Sequence, residues 1–319
     1  MASTRPGRSC PRRYRYSPAV FARGADLKAQ SLYVVGGLYG NRFALEAVLA
    51  MAQGEGATLV FNGDFNWFNV DAAAFEGVND TVLRHAALRG NVETEIAGED
   101  SGAGCGCAYP EWVGEAEVER SNEILTRLRG TASAYPELRQ RLAVLPMHLV
   151  AEIAGLRIGI LHGDAESLAG WQFSQEVLGE RPECAEALLA GSGVDVFACT
   201  HTCLPVMQEF DAPRGKALIV NNGAAGMPNF RDTRFGLATR IAGTPSTQAL
   251  YGARLGAVVV EAVPVRYDYE AWLAEFDRVW PAGSPAALSY RKRIASGPVY
   301  GVEQAVRTGA RTGAFSRAA

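Results

Sequence analysis

Short, almost wholly apolar runs alternate along this chain with longer stretches whose apolar residues recur every three or four positions. Residues 31–36 (SLYVVG), 57–62 (ATLVFN), 156–161 (LRIGIL), 194–199 (VDVFAC) and 217–220 (ALIV) are each largely apolar and run straight into a polar or glycine turn. That length and composition predict buried strands. Residues 42–53, 115–128 and 182–190 carry the helical period and predict helices between them. Strands alternating with helices imply an α/β sheet. From residue 206 the strands come at short spacing (VMQEF, ALIVNN, FGLATRI, AVVVEAVPV), which predicts antiparallel pairing in a second sheet.

Three stretches break this rhythm. Residues 97–114 contain GEDSGAGCGCAYP, too glycine-rich for a regular element, and predict a surface loop. The first 25 residues are arginine-rich, lack an acid before Asp26 and have no apolar segment of the kind a secretion leader needs. They predict a loosely ordered basic arm. From residue 267 the chain reads as a C-terminal addition, irregular apart from a helix over 269–280 and ending from about residue 305 in a basic, frayed tail. The expected division is an arm over 1–30, one domain over 31–266 and the extension over 267–319.

Composition changes the picture mainly by exclusion. A chain of 319 residues with 48% hydrophobic and 20% charged residues can bury a core without disulfides. A net charge of −3 gives no global nucleic-acid or membrane signature, and no run approaches the roughly 18 apolar residues of a membrane span. Six cysteines without C-x2-C spacing are expected to be reduced thiols. A cytoplasmic protein is expected; the oligomeric state is left open.

In an open α/β sheet, ligands sit beyond the carboxyl ends of the strands. There the chain carries GGLYGN with Asn41, NGDFNW with Asp64, RGNVE with Asn91, HGD with His162, THTCLP with His201 and NNGAAGMP with Asn222. The chain has four histidines, and two stand at these strand ends. An aspartate, an asparagine and two imidazoles make a mixed O/N donor set for one borderline divalent ion such as Mn, Zn or Fe. Taken singly, an Asp after Gly is usually a turn residue and a His a core residue; joint placement at successive strand ends carries the reading.

The six segments resemble, in order, the pattern D-x-H-G-N, G-D, G-N-H-E, H-G, G-H-T-H-x-P and N-P-G-S-x-G-x-P of the calcineurin-like metallophosphoesterases, in their compact bacterial branch. The resemblance spans about residues 31–240. It implies two packed, mixed β-sheets flanked by helices and a two-metal phosphoesterase site. Mapped onto this chain, the ligands of one ion are present as Asn91, His162 and His201, with the bridging Asp64. The private ligands of the other ion are replaced by Gly37, Tyr39 and Cys203. The histidine of the G-N-H-E segment, a proton donor or orienting group in that family, is Val92.

The resemblance therefore implies a metal-dependent phosphoesterase with a reduced, single-metal site acting on a phosphorylated small molecule or nucleotide. The alternative is a binding or regulatory protein that kept the fold and lost catalysis. Asn41, Asn222 and the backbone from Gly223 are expected to line a phosphate pocket, with plain chain reversal as the other reading of that turn. Cys203 with Cys105 and Cys107 could rebuild the lost metal position as a softer, zinc-favouring site; ordinary thiols are the other reading. Phe65, Trp67 and Phe68 offer an aromatic wall or core packing. Arg89 and Arg231 offer a phosphate partner or a solvated charge. His85 and His148 take no role.

Overall fold

The computed structural model describes residues 5–99 and 101–313. After 3-10 turns at Arg12–Tyr14 and Pro18–Ala22 come β1 (Leu27–Lys28), β2 (Ser31–Val35), α1 (Arg42–Glu55), β3 (Thr58–Asn62), α2 (Ala72–Val82), β4 (Ala86–Leu88) and α3 (Asn91–Ala97). Then follow α4 (Glu115–Ser133), α5 (Pro136–Ala143), β5 (His148–Ile153), β6 (Leu156–Leu161), α6 (Gln175–Glu180), α7 (Pro182–Ser192) and β7 (Val196–Cys199). The chain continues with β8 (Val206–Ala212), β9 (Gly215–Asn221), β10 (Gly236–Ala242), β11 (Tyr251–Leu255) and β12 (Val258–Val265). It closes with α8 (Tyr269–Val279), α9 (Pro285–Ser296), α10 (Val302–Ala305) and β13 (Arg311–Thr312).

Two mixed sheets face each other, ordered β13-β11-β12-β10-β2-β3-β4 and β1-β5-β6-β7-β9-β8. In the first, β2, β3 and β4 run parallel and the rest pair antiparallel. Side chains alternate across each strand, so every strand feeds two cores. Leu32 and Val34 of β2, Ile158 and Ile160 of β6, and Leu218 and Val220 of β9 meet between the sheets. Tyr33 and Val35 point instead to the helices packed outside, and Phe197 and Ile219 to the opposite outer layer. Burial on both faces is why these strands read as continuous apolar runs.

Four expectations are corrected by packing. The strands after residue 206 do not form a sheet of their own: β8 and β9 finish one sheet, while β10, β11 and β12 finish the other. The arginine-rich N-terminal stretch is not a loose arm over its described part. Tyr14 and Phe21 are fully buried, and Tyr14 and Arg13 both bond the buried carboxylate of Glu95, which Arg129 also pairs at 3.0 Å. Two arginines and a tyrosine around one buried acid turn a basic composition into a clamp.

Residues 97–114 are a surface loop only in part: Gly98, Gly102 and Trp112 are exposed, but Cys105 and Cys107 are buried against the site described below. The C-terminal segment is more regular than expected. In α8, Asp268 caps the helix through Ala271 N at 3.0 Å, and Tyr269, Trp272 and Phe276 form one apolar stripe. In α9, Ser284 caps the start and Pro285 opens it. Beyond it, Val306 bridges to Met207 and β13 pairs with β11; residues 314–319 of the expected tail lie outside the described residues.

Candidate metal centre

Asp64, Asn91, His162 and His201 come together at the carboxyl ends of β3, β6 and β7 and at the first turn of α3. The turns that carry them are tightly built. Asp64 has φ +54°, a left-handed conformation that aspartate tolerates better than most residues. Its N–H donates to Glu93 Oε2 at 2.8 Å, and its Oδ1 accepts from Val92 N at 3.1 Å. Glu93 also takes the N–H of Gly90 (2.9 Å) and of Asn66 (3.2 Å). The buried carboxyl of Glu93 thus ties the Asp64 turn to α3. Burial, then the nearby Asp64, push its pKa up to about 7. Gly63, at φ +96°, has no room for a side chain: a Cβ there would stand 2.6 Å from both Gly90 N and His162 Nδ1.

Hydrogen-bond accounting orients both imidazoles. His162 Nδ1 lies 2.9 Å from the carbonyl of Asn62, and His201 Nε2 lies 3.0 Å from the carbonyl of Cys107. A carbonyl can only accept, so those nitrogens carry the protons. The other nitrogens, His162 Nε2 and His201 Nδ1, then face each other at 3.1 Å. Asn91 donates its amide to the Cys105 carbonyl (3.0 Å), which leaves Oδ1 3.1 Å from His162 Nε2; Asp64 Oδ2 is 3.3 Å from the same nitrogen. Four potential donor atoms therefore converge on one point, an arrangement suited to holding a cation between them.

These residues fit a divalent ion. Among the described residues, Asp64, His162 and His201 are the group of three acidic, Cys or His side chains whose donor atoms lie mutually within 4.8 Å; Asn91 adds a neutral oxygen. Titration follows the same geometry. Burial opposes charge on Asp64, but His162 and His201 beside it hold its carboxyl below the ordinary range. Burial also opposes charge on His162, yet Asp64 raises it. His201, buried and next to His162, is pushed down to about 3. His201 is therefore kept uncharged beside His162.

Gly37, Tyr39 and Cys203 pack against one another beside this cluster. A Cβ on Gly37 would sit 3.0 Å from the Tyr39 ring and hydroxyl, so the phenol occupies the space beside Gly37. Tyr39 Oη is 3.0 Å from Cys203 Sγ. Burial raises the pKa of both groups, so neither is a ready anionic ligand. Cys105 and Cys107 do not join them. Cys105 meets Asn91 through its carbonyl, while the Cys107 thiol, 3.6 Å from Asn91 Nδ2, is likewise raised by burial. Among the described residues the thiols form no second donor cluster with Asp64.

Asn41, Asn222 and Gly223 are not among the residues lining the cavity beside Asp64; most of their polar groups bond within the fold, while Asn222 Oδ1 is buried without a hydrogen-bond partner among the described residues. Asn41 caps α1 through Ala44 N (3.0 Å) and donates to the Gly226 carbonyl (2.9 Å). Asn222 donates to the carbonyls of Gly36 and Leu237, and Gly223 bonds Asn221 and Thr200. Asn41→Ala is expected to cost about 1–2 kcal/mol through the lost cap without changing metal content. Chemical denaturation beside elemental analysis checks this, and a loss of metal would return Asn41 to the site.

A cavity of ≈ 220 Å³ opens beside Asp64, Asn91 and His201. Its walls are Tyr39, Trp67, Tyr109, Trp171 and Tyr290, with Glu117 and Arg293 as the charged members. Trp171 donates to the same Cys107 carbonyl as His201 and lies edge-on to that ring at 5.5 Å. Of the aromatic residues following Asp64, Trp67 faces the cavity while Phe65 and Phe68 belong to the core. Arg89 bonds the carbonyl of Ala143, and neither Arg89 nor Arg231 lines the cavity. Trp171, Tyr290 and Arg293 carry no local signal. They arrive from a loop and from α9, distant in sequence, and only packing brings them in.

No protein-family model and no curated protein matches the chain. Solved structures do. A metallophosphoesterase from Sphaerobacter thermophilus is 19% identical, covering 84% of this chain and 100% of that one with a TM-score of 0.53. A hypothetical protein from Pyrococcus horikoshii is 15% identical, covering 86% and 100%, with a TM-score of 0.54. The chain has the metallophosphoesterase fold, two mixed sheets flanked by helices. No helix among the described residues is long and apolar enough to cross a membrane.

Proposed function

We propose that this chain is a metal-dependent phosphoesterase working with a single ion held by Asp64, Asn91, His162 and His201. The observation that carries the reading is the convergence of four lone-pair donors at the wall of an aromatic-lined cavity. A bound divalent ion supplies Lewis-acid polarisation of a phosphoryl oxygen there. The protein's own part is to keep the donors in place: the carbonyls of Asn62 and Cys107 hold the imidazole tautomers, and Glu93 holds the Asp64 turn.

Val92 moves no proton; only its backbone N–H takes part, on Asp64. The leaving oxygen must then depart without an acid from that position, which suits phenolic or phosphate leaving groups. An aromatic-walled cavity suits a flat group, as in an aryl phosphate or a nucleotide. Six free cysteines suit a reducing, cytoplasmic setting.

Val92 and Tyr39, standing where a proton donor and a ligand are expected, favour the second reading, an inactive protein that binds a phosphorylated ligand. Turnover of a bis-aryl phosphodiester and an aryl phosphate with Mn²⁺ separates the two. The expected result is activity that His162→Ala lowers by more than roughly a hundredfold, since outer partners of ligands alone cost 10–100-fold. Metal binding without turnover of either ester would favour the binding protein.

A further inference from the structure

Arg293 is half-buried in the cavity wall, and among the described residues every hydrogen-bond partner it has is neutral. Its Nε donates to the carbonyl of Pro228 at 3.2 Å; its Nη2 donates to the carbonyl of Cys203 at 2.5 Å and reaches Asn229 Oδ1 at 3.5 Å. Those bonds fix the plane of the guanidinium, and Nη1 makes none of them. Of the carboxylates in the wall, Asp64 belongs to the donor cluster, and Glu117 is already occupied by Arg120 at 2.8 Å and by the Ser289 hydroxyl at 3.1 Å. A partly desolvated cation without a carboxylate partner is poorly compensated until an anion arrives. The place is specific. Cys203, whose carbonyl holds Arg293, has its thiol 3.0 Å from the Tyr39 hydroxyl that overlies Gly37. The guanidinium therefore stands beside the three positions where this chain lacks ligands for a first ion.

We infer that Arg293, carried into the cavity by α9, binds the phosphoryl group of the ligand and supplies the positive charge that a first metal would otherwise bring. The inference deepens the one-ion reading and rests on it. Guanidinium is suited to this because it stays charged and presents donors in a planar fork to phosphate oxygens. It also assigns the C-terminal extension a role, since Arg293 and Tyr290 both reach the cavity from α9.

The test is calorimetric titration of inorganic phosphate into the full-length chain, metal-loaded and metal-free, with aryl phosphate kinetics alongside. Arg293→Met is expected to weaken phosphate binding about tenfold or more, the usual scale for a hydrogen bond to a charged group. Arg293→Lys is expected to lose less, and KM for the aryl phosphate to rise more than kcat falls. Glu117→Gln, which removes the opposing charge, is expected to tighten phosphate binding roughly two- to fivefold.

A folded Arg293→Met protein with wild-type phosphate affinity overturns the inference. If that variant does not fold, Arg293→Lys and Glu117→Gln decide, and unchanged affinity in both overturns it. Failure of the two readings is separable. Metal binding and turnover with Arg293-independent phosphate affinity leaves the one-ion enzyme and removes this inference. Arg293-dependent phosphate binding by a chain that takes no metal upholds the inference and removes the enzyme.

Discussion

Purified protein reconstituted with Mn²⁺ or Zn²⁺ and freed of excess metal is expected to retain about one ion per chain, and His162→Ala and His201→Ala to retain none. The expectation of one ion follows from what fills the neighbouring position. Gly37 offers no side chain, the Tyr39 phenol lies 3.0 Å from where a Cβ would be, and Tyr39 bonds the Cys203 thiol. A second ion would have to displace a buried phenol and deprotonate groups that burial keeps neutral. The expectation that either histidine is indispensable follows from the convergence of His162 Nε2 and His201 Nδ1 on the same point as Asp64 and Asn91. Elemental analysis with a thermal melt reads both. Ion bound at about a hundred times its Kd adds roughly 2.7 kcal/mol of stability, so the wild-type melt should rise with metal and the variant melts should not. Two ions per chain would mean that Tyr39 and Cys203 accept a metal after all; none at all would remove the enzyme reading.

Far from the site, Arg240→Met is expected to destabilise the fold by about 3–5 kcal/mol, the usual cost of stranding a buried charge. Arg240 of β10 is 3% exposed at its side chain and Glu261 of β12 is fully buried. They pair at 2.7 Å, and Arg240 Nε donates to Glu55 at the end of α1 at 2.8 Å. Glu261 in turn accepts the Ser246 N–H at 3.0 Å. Removing the guanidinium leaves Glu261 buried with a backbone partner alone and unties α1 from the sheet. The double variant Arg240→Met/Glu261→Leu should recover much of the loss, because a buried pair replaced by apolar groups is often near neutral. Urea denaturation of the three proteins checks this. A single variant within about 1 kcal/mol of wild type would show that water reaches Glu261.

Local pattern was enough for much of the frame. β2, β3, β6 and β7 are buried on both faces, so each had to be a short apolar run ending in a polar turn, and the turn residues Asp64, His162 and His201 could be read off the ends. The glycines beside them are legible for a steric reason: a Cβ on Gly63 or on Gly90 would collide with His162, and one on Gly90 with Asp64 as well. Asn41 and Asn222 misled because a buried asparagine at a strand end looks the same in sequence whether its amide meets a ligand or a carbonyl. Here the amide N–H groups of Asn41 and Asn222 donate to the carbonyls of Gly226, Gly36 and Leu237.

Residues 97–114 misled for a related reason. Glycine-rich composition marks irregular backbone, but whether that backbone is wet or buried depends on partners. Asn91, His201 and Trp171 take the carbonyls of Cys105 and Cys107 and draw the loop inward. The arginine-rich N-terminus became a clamp because α3 and α4 present the buried Glu95 and its partner Arg129. Chain order and residue type thus sufficed for the strands and for the turns that bring Asp64, His162 and His201 together. The Tyr39–Cys203 contact, the aromatic cavity and the approach of Arg293 were decided by tertiary packing alone, because each depends on contacts between segments that share no local pattern.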